Sequence, residues 1–372
     1  MENHIKKYSG WRPKMNWPLH IAIIGAGLSG IYLASLLQRR GISYQLFESS
    51  QRVGGRIYTV NGFDLGPTWY WPNEHRHMDQ LVHTLNIATL AQWQTGTFLY
   101  QTSRETPAQQ FRDPQGYGNA KRLLSGADSL VQKLLAELNP ATIMRGHHLA
   151  QINQCNEGIE LAFRTQSQIE HSVARQVVLA VPPRLIAQTV QLNPVLNSQL
   201  STAMAATPTW MAGQAKVVFE FAQPFWREQG LSGNAMANYP GAVLGEIFDA
   251  SSDTEFALGA FLSLSAQLRA QWQTDLTALM LDQLIRLFGA QAAQPKSVLF
   301  KDWYADALLS VVADALPVTE HPDYGHPWLQ LDHWNDRLFF CGSETAQYHG
   351  GYMEGALNAA KRVYDSLMIT SQ

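Results

Sequence analysis

Ile21-Ala22-Ile23-Ile24-Gly25-Ala26-Gly27-Leu28-Ser29-Gly30 decides the fold. Four apolar residues run into a G-x-G-x-x-G turn. Leu28, Ile31, Tyr32, Leu33, Leu36 and Leu37 then recur at the spacing of one helix stripe. Arg39 and Arg40 lie where cations suit the negative end of a helix dipole, and Gly41 supplies a C-terminal cap. A second apolar run, Tyr44-Gln45-Leu46-Phe47, ends at Glu48. The unit is strand, turn, helix and strand, with an acid at the tip of the second strand. Gly25 permits the tight turn, Gly27 lets a pyrophosphate approach the backbone, and Gly30 lets helix and strand pack closely. The N–H groups from Leu28 and Ser29 onward face the phosphates at the positive end of the helix. Glu48 can accept hydrogen bonds from ribose hydroxyls, and its charge repels a 2′-phosphate, so NADP is disfavoured. Strand, helix and acid together turn a common glycine pattern into a dinucleotide-binding prediction.

The next residues narrow the dinucleotide to FAD. Arg52-Val53-Gly54-Gly55-Arg56 places a glycine pair between two arginines. Gly55 allows close backbone approach, and the guanidinium groups of Arg52 and Arg56 suit phosphate oxygens.

This segment resembles the flavin-containing amine oxidases, the group of monoamine oxidases, polyamine oxidases and L-amino-acid oxidases. The far end resembles them too, in Phe340-Cys341-Gly342-Ser343-Glu344-Thr345 and in Gly350-Gly351-Tyr352-Met353-Glu354-Gly355. Two such motifs in the right order are more specific than either alone. The resemblance implies an α/β fold: a two-domain, FAD-binding Rossmann-like architecture of three layers (β-β-α) with an α+β substrate domain inserted. Residues 19–76, 122–196 and 323–368 form the expected FAD-binding domain, and residues 77–121 and 197–322 the substrate domain. Residues 1–18 form a flexible lead.

The same resemblance assigns further residues. Asp64-Leu65-Gly66-Pro67-Thr68-Trp69 leads toward the flavin, with Gly66, Pro67, Thr68 and Trp69 as contacts. Pro67 removes one N–H there. Leu149 matches a residue that contacts adenine through its backbone. Gly342, Ser343 and Glu344 approach the ribitol or pyrophosphate side, and Met353 begins a final helix aimed at the flavin ring. Lys216 stands ten residues before Trp226 of a Pro-Phe-Trp step, as does the family's lysine that holds a water against flavin N5. Trp303 matches a tryptophan beside the flavin. Tyr352 matches one wall of an aromatic cage. Ten residues after Trp303 the monoamine oxidases carry the other cage tyrosine, preceded by a flavin-bonded cysteine; here stand Ala313 and Val312. FAD is therefore expected to be non-covalent, with Trp69, Trp71 or Tyr324 as candidate replacement walls. Lys216, Tyr352 and Trp303 are the expected catalytic residues.

Composition sets the remaining bounds. The chain has 372 residues, 46% apolar and 15% charged, enough for a large core. A net charge of −3 argues against a nucleic-acid surface. No run of about 18 apolar residues occurs, so no membrane span and no C-terminal anchor helix are expected. The polar stretch before Pro18 has no signal-peptide h-region. Cys155 and Cys341 form neither a disulfide framework nor a metal spacing. A reducing, cytoplasmic compartment fits. His75-Arg76-His77 and His147-His148 lack a third ligand; they are expected in a solvated helix start, not at a metal.

The expected activity, implied by the resemblance, is oxidation of a small-molecule amine or amino acid to an imine, with molecular oxygen as acceptor. Two alternatives stay open. One is a desaturase or protoporphyrinogen-oxidase-like enzyme acting on C–C bonds. The other is a non-catalytic flavoprotein.

Overall fold

The computed structural model describes residues 19–112, 116–156, 158–315 and 320–370. The expected lead at 1–18 lies outside them.

The first sheet is built on Leu19–Ile24. It pairs in parallel with Tyr44–Glu48 on one side and with the end of Ile169–Leu179 on the other. Ile143–Arg145 and Leu338–Phe340 extend this parallel part outward. The long strand Ile169–Leu179 also closes an antiparallel meander with Gly158–Arg164 and His148–Cys155. Strand alternation then sorts the layers. Ile21 and Ile23 face the helices Leu28–Arg39, Asp128–Glu137 and Met353–Thr370. Ala22 and Ile24 face the other way, onto Leu149, Ile152, Ile159 and Leu161 of the meander. This gives the expected order of helix layer, parallel sheet and second β-layer.

The second sheet runs Ser297–Asp302, Ala215–Phe221, Phe256–Leu262, Leu244–Asp249, Leu231–Ala237, Thr97–Gln101 and Gln109–Phe111. Its pairings are antiparallel except that between Leu231–Ala237 and Thr97–Gln101. Val217, Phe219 and Phe221 bury against the helix Leu276–Phe288. Val218 turns to the opposite face, toward Phe63 and Leu65, the side that carries Lys216. The hairpin Thr59–Val60 and Phe63–Asp64, turned by Asn61-Gly62, brings the first unit up against that face.

One helix lies at the expected boundary between the two units. The helix Arg76–Thr84 places Met78, Leu81 and Val82 in the first core, and the Met78 N–H donates to Glu354 Oε2 at 2.8 Å. The segment 101–120 contributes the edge strand Gln109–Phe111 and a cavity residue, Tyr117.

Candidate active site

A cavity of about 900 Å³ lies between the two sheets. Gly25, Gly27, Leu28, Ser29, Glu48 and Leu149 line one end. Gly25 has φ +101, and a Cβ there would stand 2.6 Å from Val181 Cγ1. A Cβ on Gly30 would stand 2.0 Å from the Gly25 carbonyl oxygen, so this residue sets helix–strand packing and does not itself line the cavity. Gly27 differs: a Cβ there meets nothing within 4 Å. Its bare side is a cradle that a ligand backbone can fill. Gly55 packs over it, and a Cβ on Gly55 would stand 3.2 Å from Gly27 Cα. Glu48 accepts from the N–H groups of Ala26 and Ser50, each at 2.8 Å. Burial pushes its pKa up, against the pull of those donors and Arg52. A fixed carboxylate beside an open glycine cradle fits the ribose and pyrophosphate of FAD.

The two arginines line the cavity, and each gives three of its five donors to the protein. Arg52 donates to the carbonyls of Ile57 at 2.7 Å, Val53 at 3.0 Å and Gly55 at 2.5 Å. Arg56 donates to Glu344 Oε1 at 2.5 Å, Ser343 Oγ at 2.9 Å and the Trp210 carbonyl at 3.1 Å. Burial works to lower the Arg56 pKa, but Glu344 outweighs it and the pKa rises. These bonds fix the shape of the glycine-pair loop, because buried acceptors require partners. Gly342 and Ser343 line the cavity, whereas Glu344 lies fully buried behind them. Ser29 donates its hydroxyl to the Cys341 carbonyl, joining the first turn to the last motif.

The opposite end is built around Lys216, which is only 1% exposed. Its Nζ donates to the Gly66 carbonyl at 2.9 Å and to Thr68 Oγ1. The rings of Phe248, Phe261 and Trp69 stand 5.2, 5.2 and 5.8 Å away. Burial drives its pKa down to about 7, although Asp64 and Glu246 favour the charged form. Asp64 is itself buried and pushed up to about 6. Trp303 donates its indole N–H to the Leu65 carbonyl at 2.9 Å. Lys216 and Trp303 thus pin Leu65 and Gly66, and Gly66, Pro67, Thr68 and Trp69 all line this end.

Tyr352 and Met353 line the cavity where the final helix begins. The His321 ring stacks on Tyr352 at 5.1 Å, and Trp210 and Trp71 approach it at 6.3 and 6.4 Å. Trp69 stacks on Tyr117 at 4.9 Å, making a second aromatic wall. Tyr324 donates to the Pro208 carbonyl and does not line the cavity. Ala313 sits on an exposed turn away from the cavity, so counting ten residues from Trp303 does not reach the cage; Leu308 and Leu309 line the wall there.

His75 corrects another expectation. It is not at a solvated helix start but 2% exposed, 5.5 Å from both Trp71 and Tyr352 and 4.7 Å from His349. Its position capping Arg76–Thr84 turns the ring inward, and burial lowers its pKa to about 4. His147 immediately precedes the strand His148–Cys155, which His148 opens. Among the described residues no three His, Cys, Asp or Glu side chains cluster as metal ligands. Tyr117, Trp210, Glu246 and His321 were not singled out in the sequence. The one available signal was Glu246, an acid inside the apolar run from Ala242 to Phe248.

A family model described as flavin containing amine oxidoreductase matches residues 101–365, and an NAD(P)-binding Rossmann-like domain model matches residues 23–85. An L-amino acid dehydrogenase of Synechocystis sp. is 25% identical over 250 residues, covering 65% of this chain and 50% of that protein. The chain thus spans about half the length of several curated relatives it matches. Human flavin-containing amine oxidase B aligns further, 24% identical over 448 positions, covering 92% of this chain and 84% of its own. The solved cyclohexylamine oxidase of Brevibacterium oxydans superposes with a TM-score of 0.79 at 18% identity, covering 95% of this chain and 100% of that one. At that identity the likeness shows the fold. With the dinucleotide unit ahead of the long match, and a cavity that fits FAD, the chain belongs to the flavin containing amine oxidoreductase family.

Proposed function

We propose that this protein is an FAD-dependent oxidase that converts a small amine to an imine, with molecular oxygen as the final acceptor. The observation that carries the reading is Lys216, a nearly inaccessible lysine on the face of the second sheet that meets the cavity. When bound, FAD supplies the hydride acceptor for the carbon bearing the amine and returns the electrons to oxygen.

The chain's own residues supply position and environment. The Trp69–Tyr117 and Tyr352–His321 stacks form walls that can hold a neutral amine without a counter-charge. Lys216 has two of its ammonium hydrogens committed to Gly66 and Thr68, which leaves one to hold a water in the cavity. The start of the final helix presents positive potential beside Tyr352, suited to negative charge on a reduced ring. The sheet membership of the strands supports residues 122–196 and 323–368 as part of the cofactor unit and residues 197–322 as the substrate unit. Two unpaired thiols support the cytoplasmic expectation. Among the described residues no helix is long and apolar enough to cross a membrane.

Anaerobic mixing with a panel of amines tests the reading. Bleaching of the oxidised flavin band is expected, with peroxide formed once air is admitted. A flavin that no amine bleaches would sink it. Neither Cys155 nor Cys341 lines the cavity, which supports a non-covalent cofactor. Acid precipitation should leave the yellow colour in the supernatant.

A further inference from the structure

The cavity wall carries seven formally charged side chains: Glu48, Arg52, Arg56, Lys216, Glu246, Lys301 and Asp306. Six are already committed. Glu48 holds two backbone N–H groups at the nucleotide end. Arg52 is spent on three carbonyls, and Arg56 is paired with Glu344. Lys301 meets Asp306 at 2.8 Å. Lys216 is bound to Gly66 and Thr68. Glu246 remains. It accepts the Tyr117 hydroxyl at 2.7 Å, and among the described residues it makes no ion pair.

We infer that Glu246 binds a second cationic centre of the substrate, so that the site takes diamines or polyamines in preference to amino acids and simple monoamines. This rests on the amine-oxidising reading above. A substrate carboxylate would have to draw on Arg52, Arg56, Lys216 or Lys301, each already hydrogen-bonded or ion-paired within the protein. An ammonium, by contrast, would give the half-buried Glu246 carboxylate the direct ion pair that it lacks among the described residues. The location agrees. Glu246 and Phe248 are two apart on the strand Leu244–Asp249 and share a face, and Phe248 stands 5.2 Å from Lys216 Nζ. Glu246 therefore lies toward the reacting end, and its electrostatic influence on Lys216 says the same. The Tyr117 hydroxyl orients the carboxylate, and the Trp69–Tyr117 stack offers aromatic faces to a passing cation.

The test uses the FAD-loaded protein, wild type and Glu246→Gln, whose amide oxygen can still accept from Tyr117. Anaerobic flavin reduction is followed with 1,4-diaminobutane, butylamine and L-leucine. The diamine should be favoured at least about tenfold, the worth of one charge-assisted contact. Glu246→Gln should raise its KM by a similar factor, with its limiting rate within about threefold, and should shift the KM of butylamine far less. A second readout needs no turnover: 1,4-bis(trimethylammonio)butane should perturb the oxidised flavin spectrum of wild type and not of Glu246→Gln. Equal reduction by butylamine or leucine, with a silent Glu246→Gln, overturns the inference while amine oxidation stands. A dication effect identical in both proteins overturns it as well. Failure of every amine to reduce the flavin removes the parent reading, and this inference with it.

Discussion

Arg56 Nη1 meets Glu344 Oε1 at 2.5 Å, joining positions 288 residues apart. The carboxylate is fully buried, and the guanidinium also holds Ser343 and the Trp210 carbonyl. The pair therefore clamps the glycine-pair loop to the last motif across the cavity. Removing Arg56 leaves a buried charge without its partner, a loss of about 3 kcal/mol or more. Arg56→Leu should lower the urea midpoint by that measure and weaken FAD retention. Adding Glu344→Gln should recover part of the loss. If the double variant is no more stable than Arg56→Leu, the charge is not what the arginine holds.

Lys216 gives a pH signature. Its pKa falls from 10.5 to about 7 on folding, chiefly through burial. Between those values the unfolded chain binds more protons than the folded one, so stability rises with pH across that window. Lys216→Met should remove this slope. It should stabilise the protein by a few kcal/mol at pH 6 and by progressively less toward pH 10. Flavin reduction should suffer at every pH. Unfolding midpoints from pH 6 to 10 check the first part, and an unchanged slope in the variant refutes it.

His75 predicts the acid side. Burial lowers its pKa from 6.5 to about 4, with His349 acting in the same direction and Glu354 against it. The unfolded chain again binds the extra proton, so stability falls as pH drops from 6.5 toward 4. His75→Phe keeps an aromatic ring among Trp71, His349 and Tyr352 and removes the titration. The variant should match wild type near pH 7 and exceed it by about 2–3 kcal/mol near pH 4.5. Parallel acid unfolding curves would show that another group governs acid lability.

The first unit was legible because its signals are local. The strand Leu19–Ile24, the helix Leu28–Arg39 and the acid Glu48 each follow from spacing within thirty or so residues. Lys216 was legible from its spacing, ten residues before Trp226 of the Pro-Phe-Trp step. The partners of Arg52 and Arg56 were not, because a guanidinium beside glycines reads the same whether it faces a phosphate or a carbonyl. Ala313 misled because residue counting takes no account of the path after Trp303, which puts Leu308 and Leu309 on the cavity wall and Ala313 on an exposed turn. Tyr117 and Glu246 lie on different segments, and only the folded second sheet brings them to 2.7 Å. Sequence spacing carries no information about that approach.

Gly27 and Gly30 separate binding from folding within one turn. A Cβ on Gly30 would lie 2.0 Å from the Gly25 carbonyl oxygen and 3.2 Å from Ala180 Cβ. Both are held by the parallel sheet, so neither can yield cheaply. Gly30→Ala should destabilise the protein severely, with little folded material to assay. Gly27 has φ −74 and ψ 178, open to any residue, and its added Cβ meets nothing in the protein. Gly27→Ala should leave the unfolding midpoint of FAD-free protein within about 0.5 kcal/mol. The methyl group instead projects where the pyrophosphate passes, so FAD affinity should fall about tenfold or more. Titration of FAD-free protein with FAD, beside urea unfolding of the same samples, reads both effects. If Gly27→Ala keeps full affinity, the pyrophosphate does not cross this turn.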